Sequence, residues 1–397
     1  MTYKISSKLE NMKPSAIREI FKSLTDPEMI AFAAGNPCEE SFPADKLALL
    51  SREIFENQSS KALQYGITEG YPKLRQQLIS RLEEKFGVDS KENTLLVVSG
   101  GQQGLELTCK VMCNPGDVVL CEDPTFIGAL NAFRSNGAVP VGVPMEEDGM
   151  NAEMLEEACK ANPNAKLLYL IPTFHNPAGT TMSLEKRKAV YEIALKYGLV
   201  ILEDNPYGEL RFAGEDIPTI KSMDRENIVV YCGSFSKVLS AGMRVGFVSA
   251  PHEIAGKIVV AKQVEDVHTN QFFQMLCAEF IDRYGLDSHI ENIRKIYRRK
   301  CGIMLDALDT YMPSSVKYTR PDGGLFVWLT LPEELDLGIF VKKAMEKKVA
   351  VVPGTAFTPD ENAPSHSFRI TYSTPSDNQL TEGVKIISKV ISEMLGE

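Results

Sequence analysis

Residues 95–103 read Leu95-Leu96-Val97-Val98-Ser99-Gly100-Gly101-Gln102-Gln103, and a helical pattern follows over 103–112. A short continuous apolar run bounded by a turn reads as a strand buried on both faces. The unit recurs down the chain. Further runs are Val118-Val119-Leu120, Val139-Pro140-Val141, Leu167-Leu168-Tyr169-Leu170-Ile171, Leu199-Val200-Ile201-Leu202, Ile228-Val229-Val230-Tyr231 and Val245-Gly246-Phe247-Val248. Amphipathic helices are predicted between them at 151–161 and 184–197. Apolar strands alternating with helices make a mostly parallel sheet covered on both faces. The expected fold is α/β: a mostly parallel seven-stranded sheet flanked by helices, with a smaller α+β domain.

The flanks supply that second unit. Ile17, Ile20, Phe21 and Leu24 predict a helix over 14–24, stopped by Asp26-Pro27. A turn-rich loop follows at Gly35-Asn36-Pro37, then helices marked by Leu47, Leu50, Ile54 and Phe55 and by Leu74, Leu78, Leu82 and Phe86. A long helical stretch spans roughly 270–310. Beyond it come strands at 325–328, 349–352 and 368–371, a helix near 338–347 and a C-terminal helix at about 376–395. The expected division is an N-terminal segment at 1–44, a mobile helix packing with the small domain; a large domain at 45–290; and a small domain at 291–397.

Composition excludes several classes. The chain has 397 residues, 44% hydrophobic and 24% charged, which suits a folded protein with a large core. Lys+Arg number 43 against 53 Asp+Glu, a net charge of -10. That acidic balance argues against nucleic acid or an anionic membrane as partner. No apolar run approaches the roughly 20 residues of a membrane span. Met1-Thr2-Tyr3-Lys4-Ile5-Ser6 has no apolar signal core. The eight cysteines are scattered without a CxxC, so free thiols in a reducing compartment are expected and a metal site is not. The localisation expected is cytoplasmic.

In open α/β sheets, ligands bind beyond the carboxyl ends of the strands. The unusual polar residues stand there: Ser99-Gly100-Gly101-Gln102-Gln103, Thr173-Phe174-His175-Asn176-Pro177, Asp204-Asn205-Pro206-Tyr207 and Ser234-Phe235-Ser236-Lys237. A glycine turn opening a helix presents N–H groups and a positive dipole end to a phosphate. Ser234, Ser236 and Arg244 add donors, the arginine as a bidentate fork. Beside an anion site Lys237 is either an electrostatic clamp or the amine of a Schiff base. An acid at a strand end can pair with a ring nitrogen. Pyridoxal phosphate has a phosphate, an aldehyde, a ring nitrogen and a phenolic oxygen, and this inventory fits all four.

The segment Ser234-Phe235-Ser236-Lys237-Val238-Leu239-Ser240-Ala241-Gly242-Met243-Arg244-Val245-Gly246 resembles the lysine motif of fold-type I pyridoxal-phosphate aminotransferases of class I/II. Asn114-Pro115-Gly116-Asp117, Asn176-Pro177-Ala178-Gly179, Pro321-Asp322-Gly323-Gly324 and Val352-Pro353-Gly354 extend the resemblance over essentially the whole chain. It implies that 45–290 is the cofactor-binding domain. It implies that Lys237 holds the cofactor and moves the substrate α-proton, and that Asp204 pairs with the ring nitrogen. Tyr207 and Asn176 would bond the phenolic oxygen. Gly101, Gln102, Ser234, Ser236 and Arg244 would bind the phosphate. Phe126 would stack on the ring where many relatives carry tyrosine. Arg369 would grip the substrate α-carboxylate, with Asn176 and Gly35 also at the substrate. Tyr65 would reach the neighbouring subunit's phosphate, implying a homodimer. His175 and Trp328 are read as structural.

Pro14-Ser15-Ala16-Ile17-Arg18-Glu19, Gln64-Tyr65-Gly66-Ile67-Thr68-Glu69-Gly70-Tyr71 and Val267-His268-Thr269 are similar to the 2-aminoadipate and kynurenine aminotransferase branch. That likeness implies a mobile opening helix whose Arg18 meets an acidic substrate side chain; a solvated helix face is the competing reading. The function implied is ping-pong amino transfer from an L-amino acid (2-aminoadipate, glutamate, aromatic or branched-chain) to a 2-oxo acid such as 2-oxoglutarate. Two alternatives differ in kind. A β-eliminating C–S lyase shares the cofactor and fold. A cofactor-sensing domain of a transcription regulator would need an N-terminal winged helix of roughly 70 residues, and motifs beginning near residue 14 leave no room for one.

Overall fold

The computed structural model describes residues 26–396 together with Tyr3, Ser6 and Leu9. The predicted helix over 14–24, with Arg18, lies outside the described residues. All seven predicted strands form, in one sheet: β1 (Asn93–Val98), β2 (Val118–Asp123), β3 (Val139–Glu146), β5 (Ala165–Leu170), β6 (Val200–Asp204), β7 (Val229–Ser234) and β8 (Gly246–Pro251). An eighth, β4 (Gly149–Met150), is a two-residue hairpin partner of β3. It is too short to leave an apolar run in the sequence. The order is β1-β8-β7-β6-β5-β2-β3-β4. Among the seven long strands only β8 runs against its neighbours.

Side-chain alternation separates the two faces of the sheet. Leu167, Tyr169, Ile171, Val119 and Leu202 join the larger core, whereas Leu168, Leu170, Leu120 and Ile201 join a second one. Helices α3 (Gly101–Met112), α4 (Ile127–Ser135) and α7 (His252–Glu265) pack on the first; α5 (Ala152–Ala161) and α6 (Leu184–Tyr197) pack on the second. At about 1.5–3 kcal/mol per buried aliphatic side chain, this double cover makes hydrophobic burial the main stabilising term. The covering helices start and stop on local signals. Ser183 accepts a hydrogen bond from the Lys186 N–H at the start of α6, and left-handed Gly198 ends it. α1 (Ala44–Leu63) and α2 (Pro72–Phe86) precede the sheet.

The predicted 270–310 helix is two helices, α8 (Gln271–Tyr284) and α9 (Leu286–Tyr311). Gly285, at φ 69, breaks the ladder between them. A second sheet, of order β11-β12-β10-β9, contains β9 (Lys317–Tyr318), β10 (Phe326–Thr330), β11 (Val352–Pro353) and β12 (Ser367–Thr371). Helices α10 (Leu337–Glu346) and α11 (Asp377–Leu395) accompany it. The strand predicted at 349–352 is mostly absent, because its first residues find other backbone partners. Ile30 N–H donates to the Lys348 carbonyl at 2.8 Å, and Ala350 N–H donates back to Ile30 at 3.1 Å. The chain before α1 thus adds an edge to the small sheet.

Candidate active site

Because β1, β2, β5, β6 and β7 run the same way, their carboxyl ends meet on one edge of the sheet. The reversed β8 starts there, so Arg244 just before it arrives at that edge too. The result is a cleft of about 320 Å³ lined by Gly35, Gly101, Gln102, Phe126, Asn176, Asp204, Tyr207, Ser234, Ser236, Lys237, Arg244 and Arg369. Twelve of the fourteen predicted site residues therefore converge. Tyr65 does not: it is 81% exposed and touches His268 edge-on at 5.8 Å. Arg18 is not among the described residues.

One end of the cleft is suited to an anion. Gly100 has φ 84, and a Cβ there would stand 2.1 Å from Arg244 Nη2, so only glycine lets the arginine cross the turn. The first N–H groups of α3 are free of helical partners. Ser236 N–H donates to Ser234 Oγ at 3.1 Å, the two hydroxyls are 2.9 Å apart, and Arg244 Nη1 lies 3.4 Å from Ser236 Oγ. Arg244 sits at φ 54, is exposed, and makes no ion pair with a described carboxylate. Gln102 Nε2 donates to the Gly128 carbonyl at 2.7 Å, holding the start of α4 and Phe126 beside the cleft.

The opposite end is buried and acidic. Asp204 ends β6 and is 5% exposed, and Tyr169 donates its hydroxyl to Asp204 Oδ2 at 2.9 Å. Burial pushes the Asp204 carboxyl up to about 7; the Tyr169 hydrogen bond pulls it down, and Glu122 raises it through like charge. Glu122 Oε2 accepts the Ile171 N–H at 2.8 Å and lies 3.2 Å from His175 Nε2. The Ala178 N–H donates to His175 Nδ1 at 3.3 Å. His175 thus links the Asn176 loop to Glu122 on β2.

Between the ends stands Lys237. Its Nζ donates to the Gly35 carbonyl at 2.7 Å. Burial, with repulsion from Arg369 and Arg244, lowers the amine to about 8. Asn176 Nδ2 donates to the Tyr207 hydroxyl at 3.4 Å, and Asn176 Oδ1 accepts from Arg369 Nη1 at 2.8 Å. Arg369 is sandwiched between the Phe326 and Phe357 rings, 4.1 and 5.1 Å from their centroids, and donates Nη2 to the Ala33 carbonyl at 3.0 Å. Burial lowers it to about 10, so it stays cationic at neutral pH. Among the described residues its buried Nε has no hydrogen-bond partner. Trp328 packs edge-on against Phe357 at 5.8 Å.

Sequence reasoning missed Tyr169, Glu122, Phe326 and Phe357. Glu122 carried a signal: a carboxylate continuing the apolar run that ends at Leu120. The phenylalanines carry none, since an aromatic in a strand, as Phe326, or in a short turn, as Phe357, reads as core.

An anion cup, a partly neutral amine, a buried acid and a carboxylate-binding arginine in one cleft define a phosphate-anchored carbonyl cofactor site acting on amino acids. Comparison with known proteins agrees. Residues 27–387 match the family model for aminotransferase class I and II. Aromatic-amino-acid aminotransferase 1 of Thermococcus litoralis is 38% identical over 98% of this chain and 94% of its own length. The 2-aminoadipate transaminase of Thermus thermophilus is 38% identical over 97% and 95%. The crystal structure of Pyrococcus horikoshii kynurenine aminotransferase, a complex with PMP, superposes with a TM-score of 0.94 at 37% identity, covering 98% of this chain and 97% of that one. The chain belongs to the class I and II aminotransferases. It is a pyridoxal-phosphate-dependent transaminase.

Proposed function

We propose that the protein transfers the amino group of an L-amino acid with an aromatic, branched-chain or 2-aminoadipate side chain to 2-oxoglutarate. The observation that carries this reading is the single cleft holding Lys237, Asp204 and Arg369. Ser234, Ser236, Arg244, Gly101 and Gln102 hold the cofactor phosphate, Asp204 the ring nitrogen, Tyr207 and Asn176 the phenolic oxygen, and Phe126 the ring face. Pyridoxal phosphate supplies the electron sink that lets the substrate α-C–H bond ionise. Arg369 fixes the α-carboxylate, with Asn176 and the Gly35 backbone beside it. Lys237 Nζ, its amine lowered to about 8, would take up the substrate α-proton and hold it for return.

The described cations lining the cleft are Lys237, Arg244 and Arg369, and each already has a role. For acidic substrates the partner of the side-chain carboxylate in this reading is Arg18, which lies outside the described residues. Tyr65, Leu63, Val264 and Val267 are exposed apolar residues, at 81%, 74%, 82% and 48%. They support a homodimer whose partner receives Tyr65 at its phosphate. All eight cysteines are free, in keeping with the cytoplasm.

The test is a visible spectrum of the purified protein during addition of single L-amino acids. Conversion of the cofactor band by leucine, phenylalanine or 2-aminoadipate, reversed by 2-oxoglutarate, is the expected result. Pyruvate and ammonia accumulating without a 2-oxo acid would replace transfer with β-elimination.

A further inference from the structure

Behind the phosphate turn lies a polar cluster that the chemistry does not use. Lys262, on α7, is 1% exposed. Its three protons are matched by Asp266 at 2.8 and 2.9 Å, Gln103 Oε1 at 2.9 Å and Thr269 Oγ1 at 3.0 Å. Asp266 Oδ2 in turn accepts the Ser99 hydroxyl at 2.7 Å and Gln103 Nε2 at 2.8 Å. Gln103 Oε1 also accepts the Ser99 N–H at 2.7 Å. The remaining polar group of Ser99, its carbonyl, accepts from Arg244 Nη2 at 3.3 Å. Every polar group of Ser99 is thus tied down.

With Lys262 buried and the Asp266 side chain 28% exposed, the ion pair is a poor way to gain stability, since apolar residues of similar volume often serve as well or better. Its asset is fixed geometry, and what this pair fixes is the residue before Gly100. We propose that the Asp266–Lys262 pair is a positioning device for the phosphate end. Through Ser99 and Gln103 it holds the Gly100–Gln102 backbone and Arg244 in the geometry that receives the cofactor phosphate. The inference rests on the reading of that turn as the phosphate site. A preformed cup avoids the ordering cost that a mobile glycine turn would add on binding.

The experiment compares two probes on the full-length protein stripped of cofactor: pyridoxal 5'-phosphate, and pyridoxal, which lacks the phosphate. Asp266→Asn is expected to weaken pyridoxal phosphate about tenfold or more, the scale of one or two charged hydrogen bonds. Pyridoxal affinity should stay within about twofold. Ser99→Ala leaves the ion pair intact and should shift the same ratio about fivefold; it decides the matter if Asp266→Asn does not fold. Equal weakening of both probes, or a lower melting temperature with an unchanged ratio, would overturn the inference and leave the pair a plain core contact. A wild-type protein without preference for the phosphorylated probe would instead remove the phosphate reading itself.

Discussion

The two ends of the cleft solve opposite problems by opposite means. In the proposed reading the phosphate end receives a permanent anion. It uses backbone N–H groups, hydroxyls and an exposed Arg244, all near water. The ring end must keep one proton in place. It uses Asp204, Tyr169 and Glu122, each buried, so their electrostatic interactions act at low effective dielectric. The comparison teaches that the first end is built for affinity and the second for proton placement. Substitutions at each should fail differently.

The largest effect is expected at the buried end. Asp204→Asn keeps the shape but removes the charge that, in the proposed reading, would hold the ring nitrogen protonated. The rate of amino transfer should fall on the order of 10³-fold, the scale of losing one preorganised electrostatic group. Cofactor affinity should change far less. Single-turnover kinetics with the cofactor at saturation would measure this; a loss confined to affinity would erase the contrast between the ends.

Arg244→Ala is the complementary break. It should weaken pyridoxal phosphate about a hundredfold, as expected for a charge-assisted bidentate contact. With saturating cofactor the rate should largely recover. Because Arg244 is exposed, wild-type affinity should also fall as salt rises, while the Asp204 effect should not respond to salt. Titrations at low and high ionic strength test both halves.

Lys237 stands between the ends and gives a pH signature. Its amine is lowered from 10.5 to about 8, so it is neutral and nucleophilic above about 8 and charged below. Cofactor capture by the stripped protein should therefore rise about tenfold from pH 7 to pH 9 and then level off. An unperturbed lysine would keep rising to the upper end of the accessible range. Stopped-flow absorbance separates the two profiles.

The same contrast governs what the sequence revealed. Donors of the phosphate end are local: glycine before a helix, two serines flanking a phenylalanine, an arginine before a strand. Each is recognisable within a few residues. Most of the long strands are equally legible, because burial on both faces writes itself as unbroken apolar runs; β3, with only Val143 buried, is the exception. The supporting groups of the ring end are not local. Tyr169 sits inside such a run and looks like core until β5 lies next to β6 and its hydroxyl meets Asp204. The Asp266–Lys262 pair reads as an ordinary i,i+4 helix pair until Ser99 is placed against it. The local pattern at 349–352 does not reveal that Val349 pairs with Ile30, more than three hundred residues away, while only Val352 joins the small sheet.

Tyr169 also supplies the smallest and sharpest prediction. Its hydroxyl donates to Asp204 and lowers that carboxyl, against the burial that lifts it to about 7. Tyr169→Phe leaves the ring packing against Phe133 in place and removes only the donor. The sign follows: the Asp204 pKa rises further, so at neutral pH a larger fraction of the stripped protein carries a protonated carboxyl. That form cannot pair with a protonated ring nitrogen. Amino transfer near neutral pH should fall about fivefold, the worth of one hydrogen bond, and the acid limb of the pH–rate profile should move upward. Glu122→Gln should move that limb the other way, because it removes the like charge that helps to raise Asp204. Opposite shifts from two residues that never touch the cofactor would establish the ring end as a tuned proton site, whereas parallel losses at every pH would reduce both residues to packing.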